Sequence, residues 1–199
     1  VNSHCTTKQG GVNGTKYYQP LNQTTAESIG TEIADPSYRR NISGCPSGRV
    51  CRTSDSAYVQ RASGVNAAQG FIAKPNSIGS LEIGADQFRI TSKGPSISGQ
   101  TVNKVGRTTG WTQGAVTNTC VNTGVSGTNI VQLCQDFVSA GVGSGDSSSP
   151  VFAITSVNDV ELRGILWGGN TSGTQFVYSP IANIEGELGS ILVCAAGSC

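Results

Sequence analysis

Hydrophobic positions in this chain come in short runs in which apolar and polar residues alternate. The alternation is clearest in residues 81–83 (Leu-Glu-Ile), 88–90 (Phe-Arg-Ile) and 101–105 (Thr-Val-Asn-Lys-Val). A period of two places successive side chains on opposite faces of a β-strand. The pattern predicts further strands at residues 114–121, 129–137, 149–156, 160–167 and 174–178. We therefore expect an all-β chain.

Turn-forming residues separate these runs. Glycine occurs 27 times and proline 7 times, which suits short strands joined by tight turns and favours β-barrels. Residues 10–38 are polar and turn-rich, and we expect at most one or two short strands there. Residues 93–100 (Lys-Gly-Pro-Ser-Ile-Ser-Gly-Gln) are interpreted as a linker between two halves. A chain of 199 residues can bury one sizeable core or two small ones.

Charge and hydropathy argue against two classes of partner. The formal net charge is +1, and no basic cluster exceeds the pair Arg39-Arg40. Nucleic acid is therefore not an expected partner, because its phosphates require a basic surface. No membrane partner is expected either, because no stretch approaches the ~20 apolar residues of a spanning helix.

The cysteines indicate an oxidising compartment and hence a secreted, extracellular protein. There are seven, at positions 5, 45, 51, 120, 134, 194 and 199. No Cys-x-x-Cys pair is present and there is one histidine, so disulfides are favoured over a metal site, and no cofactor is expected. Cys45 with Cys51 and Cys120 with Cys134 are the natural short-range pairs. Cys194 with Cys199 is a possible third pair, which leaves Cys5.

Candidate chemistry lies in residues 145–150 (Gly-Asp-Ser-Ser-Ser-Pro), which are followed by an apolar run. A serine hydroxyl is a poor nucleophile unless a base and an anion-binding turn assist it. The single histidine is His4, and Asp55 lies between it and Ser147 in the chain. Histidine, aspartate and serine in this order follow the chain order of the chymotrypsin-type triad.

The whole set of motifs resembles the trypsin/chymotrypsin-like serine proteases, and most closely the small secreted bacterial and fungal branch that includes the streptogrisins and alpha-lytic-type enzymes. Beyond the triad, the resemblance rests on residues 105–112 (Val-Gly-Arg-Thr-Thr-Gly-Trp-Thr), 166–169 (Leu-Trp-Gly-Gly) and 176–180 (Phe-Val-Tyr-Ser-Pro). Order and approximate spacing hold from His4 to Tyr178.

The resemblance implies two six-stranded antiparallel β-barrels of the chymotrypsin type, the first of which lacks its N-terminal strands. Residues 1–95 would form this incomplete first half with His4 and Asp55. Residues 96–199 would form the second barrel with Ser147 and the specificity pocket. A short helix is expected at residues 181–188, because relatives often end in one.

The resemblance also implies the role of each residue. Ser147 would attack a peptide carbonyl, His4 would accept its proton, and Asp55 would orient the imidazole. The backbone N–H groups of Gly145 and Ser147 would form the oxyanion hole. With an ordinary pKa of ~6.5 for His4, activity should rise with an apparent pKa of ~6–7. The predicted function is a secreted serine endopeptidase that acts through an acyl-enzyme on protein or peptide substrates.

The substrate-binding residues implied by the resemblance are Ala140, Val142, Leu166, Trp167, Gly168 and Phe176. Residues 139–144 contain no acid that would pair with a basic side chain, and no second histidine exists to recognise glutamate. Phe176 and Val142 could narrow an apolar slot. We expect small or medium apolar residues at P1, the substrate residue before the cleaved bond.

Departures from the family pattern leave alternatives open. Ser148 and Ser149 replace two glycines after the nucleophile, and Leu166 replaces a serine. A catalytically impaired protease-fold protein that binds without cutting is therefore an alternative, as is an esterase with the same triad.

The few residues that precede His4 are a further departure. Relatives carry about thirty or more, so a processed or truncated chain is expected, or a differently closed barrel with Cys5 bonded to Cys199. A monomer is expected unless another chain supplies the missing segment.

Overall fold

The computed structural model describes residues 1–19 and 27–193. Over these residues the chain forms twelve strands and one α-helix, and a 3₁₀ turn at Ser3–Cys5. The strands are β1 (Lys16–Gln19), β2 (Glu27–Ala34), β3 (Val50–Arg52), β4 (Tyr58–Arg61), β5 (Phe71–Pro75), β6 (Ile83–Lys93), β7 (Thr101–Gly106), β8 (Gly110–Gly124), β9 (Ile130–Ser139), β10 (Pro150–Ile154), β11 (Asp159–Gly169) and β12 (Phe176–Pro180), and the helix is α1 (Ile181–Leu188).

The second half of the chain closes into a barrel. Strands pair in the order β7, β8, β9, β12, β11 and β10, and β10 pairs back with β7, so that six antiparallel strands of the described chain form a ring. Inward-facing apolar side chains fill it, because alternate residues of each strand point to the same face. They include Val102, Val116, Val138, Val151, Leu166, Phe176 and Tyr178. The expected all-β fold and the six-stranded second barrel are confirmed.

The first half is smaller. Within the described residues, β1, β2 and β4 form a three-stranded antiparallel sheet. The short strand β3 pairs in parallel with β9 of the second barrel, with Val50 opposite Ile130. The Cys45–Cys51 disulfide staples the loop that leads into β3. In its described residues the first half thus contains fewer strands than a six-stranded barrel, in agreement with the expected incomplete first barrel.

The hairpin of β5 and β6 belongs to the sheet of the second half, although it precedes residue 96. Strand β6 pairs in parallel with β11, with Arg89 opposite Asp159. The reason is apolar packing: the ring of Phe88 is buried between Trp111 and Phe152, at centroid distances of 5.1 and 5.0 Å. The sheet of the second half therefore includes strands from both sides of residue 95.

The bounds of the predicted strands differ from the sequence pattern in two places, and the pattern predicts no strand at β3, β4 or β5. Strand β8 extends well beyond the predicted 114–121, because it pairs first with β7 and then with β9. Residues 81–83 and 88–90 do not form two strands, since β6 starts at Ile83 and runs on through the second segment. Helix α1 has the predicted bounds, and Ile181 and Ile184 bury its inner face. No helix in residues 1–19 and 27–193 is long and apolar enough to cross a membrane.

Candidate active site

The structure brings the three predicted catalytic side chains together. His4 Nε2 lies 2.9 Å from Ser147 Oγ, and His4 Nδ1 hydrogen-bonds to a carboxylate oxygen of Asp55. The other carboxylate oxygen of Asp55 accepts the backbone N–H of His4 at 3.1 Å. His4 is held in the 3₁₀ turn and Ser147 lies between β9 and β10, so residues 143 positions apart in the chain are in contact. The imidazole is thus aligned to take a proton from the serine.

A buried ionic network holds the segment that leads into Asp55. The guanidinium of Arg52 bonds to Asp35 at 2.8 Å and to Glu187 of α1 at 2.9 Å. The Glu187 carboxylate also accepts the backbone N–H of Thr53 at 2.8 Å and the hydroxyl of Ser54 at 2.6 Å. Buried charges are tolerated when they are paired and hydrogen-bonded in this way. The network fixes the backbone just before the triad acid.

A second polar chain links Asp55 to the strand β11. The backbone N–H of Asp55 donates to Ser179 Oγ at 3.0 Å, and that hydroxyl donates to Gln135 Oε1 at 2.8 Å. The same amide oxygen accepts the indole N–H of Trp167 at 2.8 Å. Gln135 and Ser179 are fully buried, and Gln135 Nε2 donates to Thr53 O at 2.7 Å. Every polar atom of the Gln135 amide is therefore satisfied.

The turn around the nucleophile contains two residues in the left-handed region, Gly145 at φ 100° and Ser148 at φ 73°. The backbone N–H groups of Gly145 and Ser147 donate to no other described residue, whereas that of Ser148 donates to Leu166 O at 2.9 Å. Free amide donors beside a nucleophile could stabilise an oxyanion.

Asp146 lies beneath this turn and is completely buried. Its carboxylate pairs with Lys104 of β7 at 3.1 Å and accepts the backbone N–H groups of Thr108, Thr109 and Gly143 at 2.7, 3.1 and 3.0 Å. Burial raises the pKa of this carboxyl, but the hydrogen bonds from Thr109, Thr108 and Gly143 outweigh it and the pKa is lowered. For the Lys104 ammonium, burial has the opposite effect and lowers the pKa, while the charge and hydrogen bond of Asp146 act to raise it.

The imidazole has a raised pKa. Burial lowers the pKa of His4, but the hydrogen bond and charge of Asp55, together with the thiol of Cys5, raise it to about 10. Cys5 is exposed and forms no disulfide with another described cysteine. Cys199, the alternative partner expected for Cys5, and the expected Cys194–Cys199 pair lie outside the described residues.

A cavity of about 410 Å³ borders Ser147. Its walls come from residues 142–144 and from β11, including Leu166, Trp167 and Gly168. The two walls approach closely, because a Cβ built on Gly169 would lie 2.6 Å from Val142 Cγ1. Four of the six predicted substrate-binding residues therefore line this cavity.

Ala140 and Phe176 are the other two, and both are buried in the barrel core. The expectation that Phe176 narrows the slot beside Ser147 is corrected, because its ring packs in the barrel core and does not line that cavity.

Phe176 instead borders a second cavity of about 500 Å³, which Trp167 also lines. His4 and Asp55 line one end of it, and the tip of the β8–β9 hairpin at residues 123–126 lines the other. The Cys120–Cys134 disulfide joins the two strands of this hairpin. Residues 167–170 border both cavities, and each cavity also borders part of the triad, so an extended chain could occupy both.

Several residues that shape the site lie outside the sequence predictions, namely Asn2, Lys104, Gln135, Ser179 and Glu187. Lys104 carries a usable signal, because a lysine inside an apolar strand requires a buried acid and Asp146 follows a glycine-rich stretch. The others give no local signal, since their partners are distant in the chain.

No protein-family model matches this sequence, and no curated protein sequence matches it. Solved structures do match its fold. Thermobifida fusca protease A matches at TM-score 0.64 and 18% identity, over 95% of this chain and 80% of that chain. The Nocardiopsis protease matches at 0.63 and 17% over 94% and 79%, and the Cellulomonas bogoriensis chymotrypsin at 0.60 and 17% over 91% and 86%.

Proposed function

Since the chain has the fold of bacterial chymotrypsin-like serine proteases, we propose that it is itself a serine endopeptidase with the triad His4, Asp55 and Ser147. The observation that carries the proposal is the 2.9 Å contact between His4 Nε2 and Ser147 Oγ, with Asp55 bonded to the opposite ring nitrogen. A base in hydrogen-bond reach of the nucleophile, itself oriented by an acid, is the arrangement that acyl transfer requires.

The reaction would proceed in two halves. Ser147 Oγ attacks the peptide carbonyl carbon while His4 Nε2 takes the hydroxyl proton, and the backbone N–H groups of Gly145 and Ser147 receive the oxyanion. His4 then gives the proton to the leaving amine as the C–N bond breaks, which leaves an ester on Ser147. Water, deprotonated by His4, attacks this ester and releases the carboxylic product. No cofactor or metal enters these steps.

We infer a preference for small or medium apolar P1 side chains. The cavity beside Ser147 is walled by Val142, Leu166 and Trp167, and no Asp or Glu lines it. A buried lysine or arginine of the substrate would be left unpaired there, at a high cost in free energy. The close approach of Val142 to Gly169 limits the depth of the slot.

The alternative, a protease-fold protein that binds without cutting, would require the triad to be misaligned. A Ser147 hydroxyl beyond hydrogen-bond reach of His4 would favour it, and the observed contact does not. An esterase would use the same triad, so only substrate comparison separates it from a peptidase.

Secretion remains part of the proposal. The two disulfides, Cys45–Cys51 and Cys120–Cys134, suit an oxidising compartment. The partner is a protein or peptide substrate.

The test is labelling with a fluorophosphonate probe, followed by peptide mapping. Label is expected on Ser147 and on neither Ser148 nor Ser149, and His4→Ala should abolish both labelling and cleavage of a peptide amide. Ser126→Ala, at the tip of the β8–β9 hairpin, is a matched serine control that should label normally. A wild-type chain that hydrolyses an activated ester but not the matching amide would refute the peptidase assignment, and a His4→Ala chain with full activity would refute the mechanism.

A further inference from the structure

Asn2 bridges two of the segments that carry the triad and lies in the same turn as the third. Its side-chain amide donates to the backbone carbonyl of Asp55 at 2.8 Å, and its side-chain oxygen accepts the backbone N–H of Ser148 at 2.5 Å. Its own backbone N–H donates to Ser148 Oγ at 2.8 Å. Asn2 is completely buried and lies two residues before His4.

Ser148 follows the nucleophile directly and has a φ of 73°. Side chains with a Cβ rarely adopt this left-handed conformation, which glycine adopts freely. A serine is held there only if its surroundings compensate for the unfavourable backbone. Two of the compensating contacts come from Asn2, which binds both the backbone N–H and the hydroxyl of this one residue. The same N–H also donates to Leu166 O at 2.9 Å.

We propose that Asn2 is a positioning residue: it holds Ser148 in the left-handed conformation and so fixes the turn that presents Ser147 to His4. The inference rests on the proposed function, because the reactivity of Ser147 is what the position of the turn controls. Asn2 acts through Ser148 and does not touch the reacting atoms. The same side chain ties the turn to Asp55, so the first and second halves stay in register at the site.

A double-mutant cycle between positions 2 and 148 tests the proposal, with the second-order rate of fluorophosphonate labelling as the readout. Asn2→Ala in the wild-type background should slow labelling about tenfold, because Ser148 then loses both contacts with Asn2 and keeps the bond from its backbone N–H to Leu166 O. In a Ser148→Gly background the same change should slow labelling no more than about threefold, since glycine keeps the conformation unaided even when the bonds of Asn2 to Asp55 and to the backbone N–H of residue 148 are lost.

A purely structural role for Asn2 would give a different result. Asn2→Ala would then slow labelling by the same factor whether position 148 is serine or glycine, and this result would overturn the proposal. Ser149→Gly provides the matched control background, because Asn2 does not contact Ser149. There, Asn2→Ala should retain its full effect of about tenfold.

Two further comparisons keep the test decisive. If Asn2→Ala does not fold, Ser148→Ala is compared with Ser148→Gly: both lack the hydroxyl, and the alanine chain should label more slowly, whereas equal rates overturn the proposal. If the wild-type chain neither labels nor cleaves, the proposed function fails. The same cycle is then measured as thermal unfolding midpoints, where a smaller loss in the glycine background supports the bridge and an equal loss overturns it.

Discussion

Lys104 and Asp146 form an ion pair in which both side chains are completely buried, with 3.1 Å between Nζ and Oδ2. Asp146 directly precedes Ser147, so the pair braces the nucleophile turn from inside the barrel. The ammonium also donates to Gly110 O at 3.0 Å. The turn is thus supported by a charge on β7 as well as by Asn2.

Lys104→Met should leave the Asp146 carboxylate buried without its cation. Removing one partner of a buried pair typically costs ~3–5 kcal/mol of unfolding free energy, and we expect Ser147 labelling to be lost with it. Denaturant unfolding and probe labelling measure the two effects. Lys93→Met is the control, because Lys93 pairs with Glu185 at a partly exposed site and its loss should cost no more than about 1 kcal/mol. Equal losses for both variants would contradict the bracing role.

The pH dependence of labelling should reflect the raised pKa of His4. A general base acts in its neutral form, so the rate should rise as pH passes the folded-state pKa. We expect the midpoint of this rise in rate to lie above pH 6.5, toward about 10, and not at the pH of ~6–7 that the sequence alone predicts. The His4–Asp55 pair also stabilises the fold fully below the unfolded pKa of ~6.5 and loses this contribution as pH rises through about 10.

Because His4 is the single histidine, its ring resonances can be titrated by NMR without ambiguity. Asp55→Asn should shift the titration to lower pH, since the main opposing charge is removed. A wild-type midpoint at or below 6.5 would contradict the Asp55 contact.

Gln135→Leu should disturb the site through the buried residues that support Asp55 and Trp167. It leaves the Trp167 indole N–H and the Ser179 hydroxyl without their buried acceptor, and a lost buried partner costs ~1–3 kcal/mol. We expect a lower kcat through Asp55 and a higher KM through Trp167. Gln132→Leu is matched in residue type, strand and burial, but Gln132 binds Tyr38. It should lower stability alone, and a similar kinetic loss in both variants would refute the specific link.

Val142→Ala should widen the slot beside Ser147. Because Val142 meets the opposite wall at Gly169, removing its methyl groups makes room for larger P1 side chains. The ratio of kcat/KM for a phenylalanine over an alanine P1 substrate should rise about tenfold, the usual scale for one or two methylene groups in an apolar pocket. Gly169→Ala should change the ratio in the opposite direction. An unchanged ratio in both variants would mean that this cavity does not bind P1.

The strands of the second barrel were predictable because alternation is local. Val102, for example, lies between the polar residues Thr101 and Asn103, which marks it as inward-facing. Closure of the strands into a barrel was implied by the resemblance. The contact of His4, Asp55 and Ser147 was predictable because these three residue types occur in the chain order of a known catalytic arrangement. The two short disulfides followed from spacing.

The remaining features depend on contacts between distant residues. Apolar and polar residues alternate in the β5–β6 hairpin as in other strands. Nothing in the local sequence indicates that Phe88 packs on Trp111 and not within the first half. Lys104 looks anomalous in the sequence, but its partner becomes clear when β7 and the nucleophile turn are seen together. Asn2 and Gln135 are polar residues whose hydrogen-bond partners are distant in the sequence, so their roles can be recognised only in the folded structure.

The anchoring of residues 52–54 by Glu187 has a consequence for the order of events during synthesis. Thr53 and Glu187 are 134 positions apart, so most of the chain must leave the ribosome before this contact forms. Until helix α1 docks, Arg52 has one of its two acidic partners and the backbone before Asp55 lacks its restraint. We expect Ser147 to react with the fluorophosphonate probe only after helix α1 has docked and Glu187 holds this segment in place.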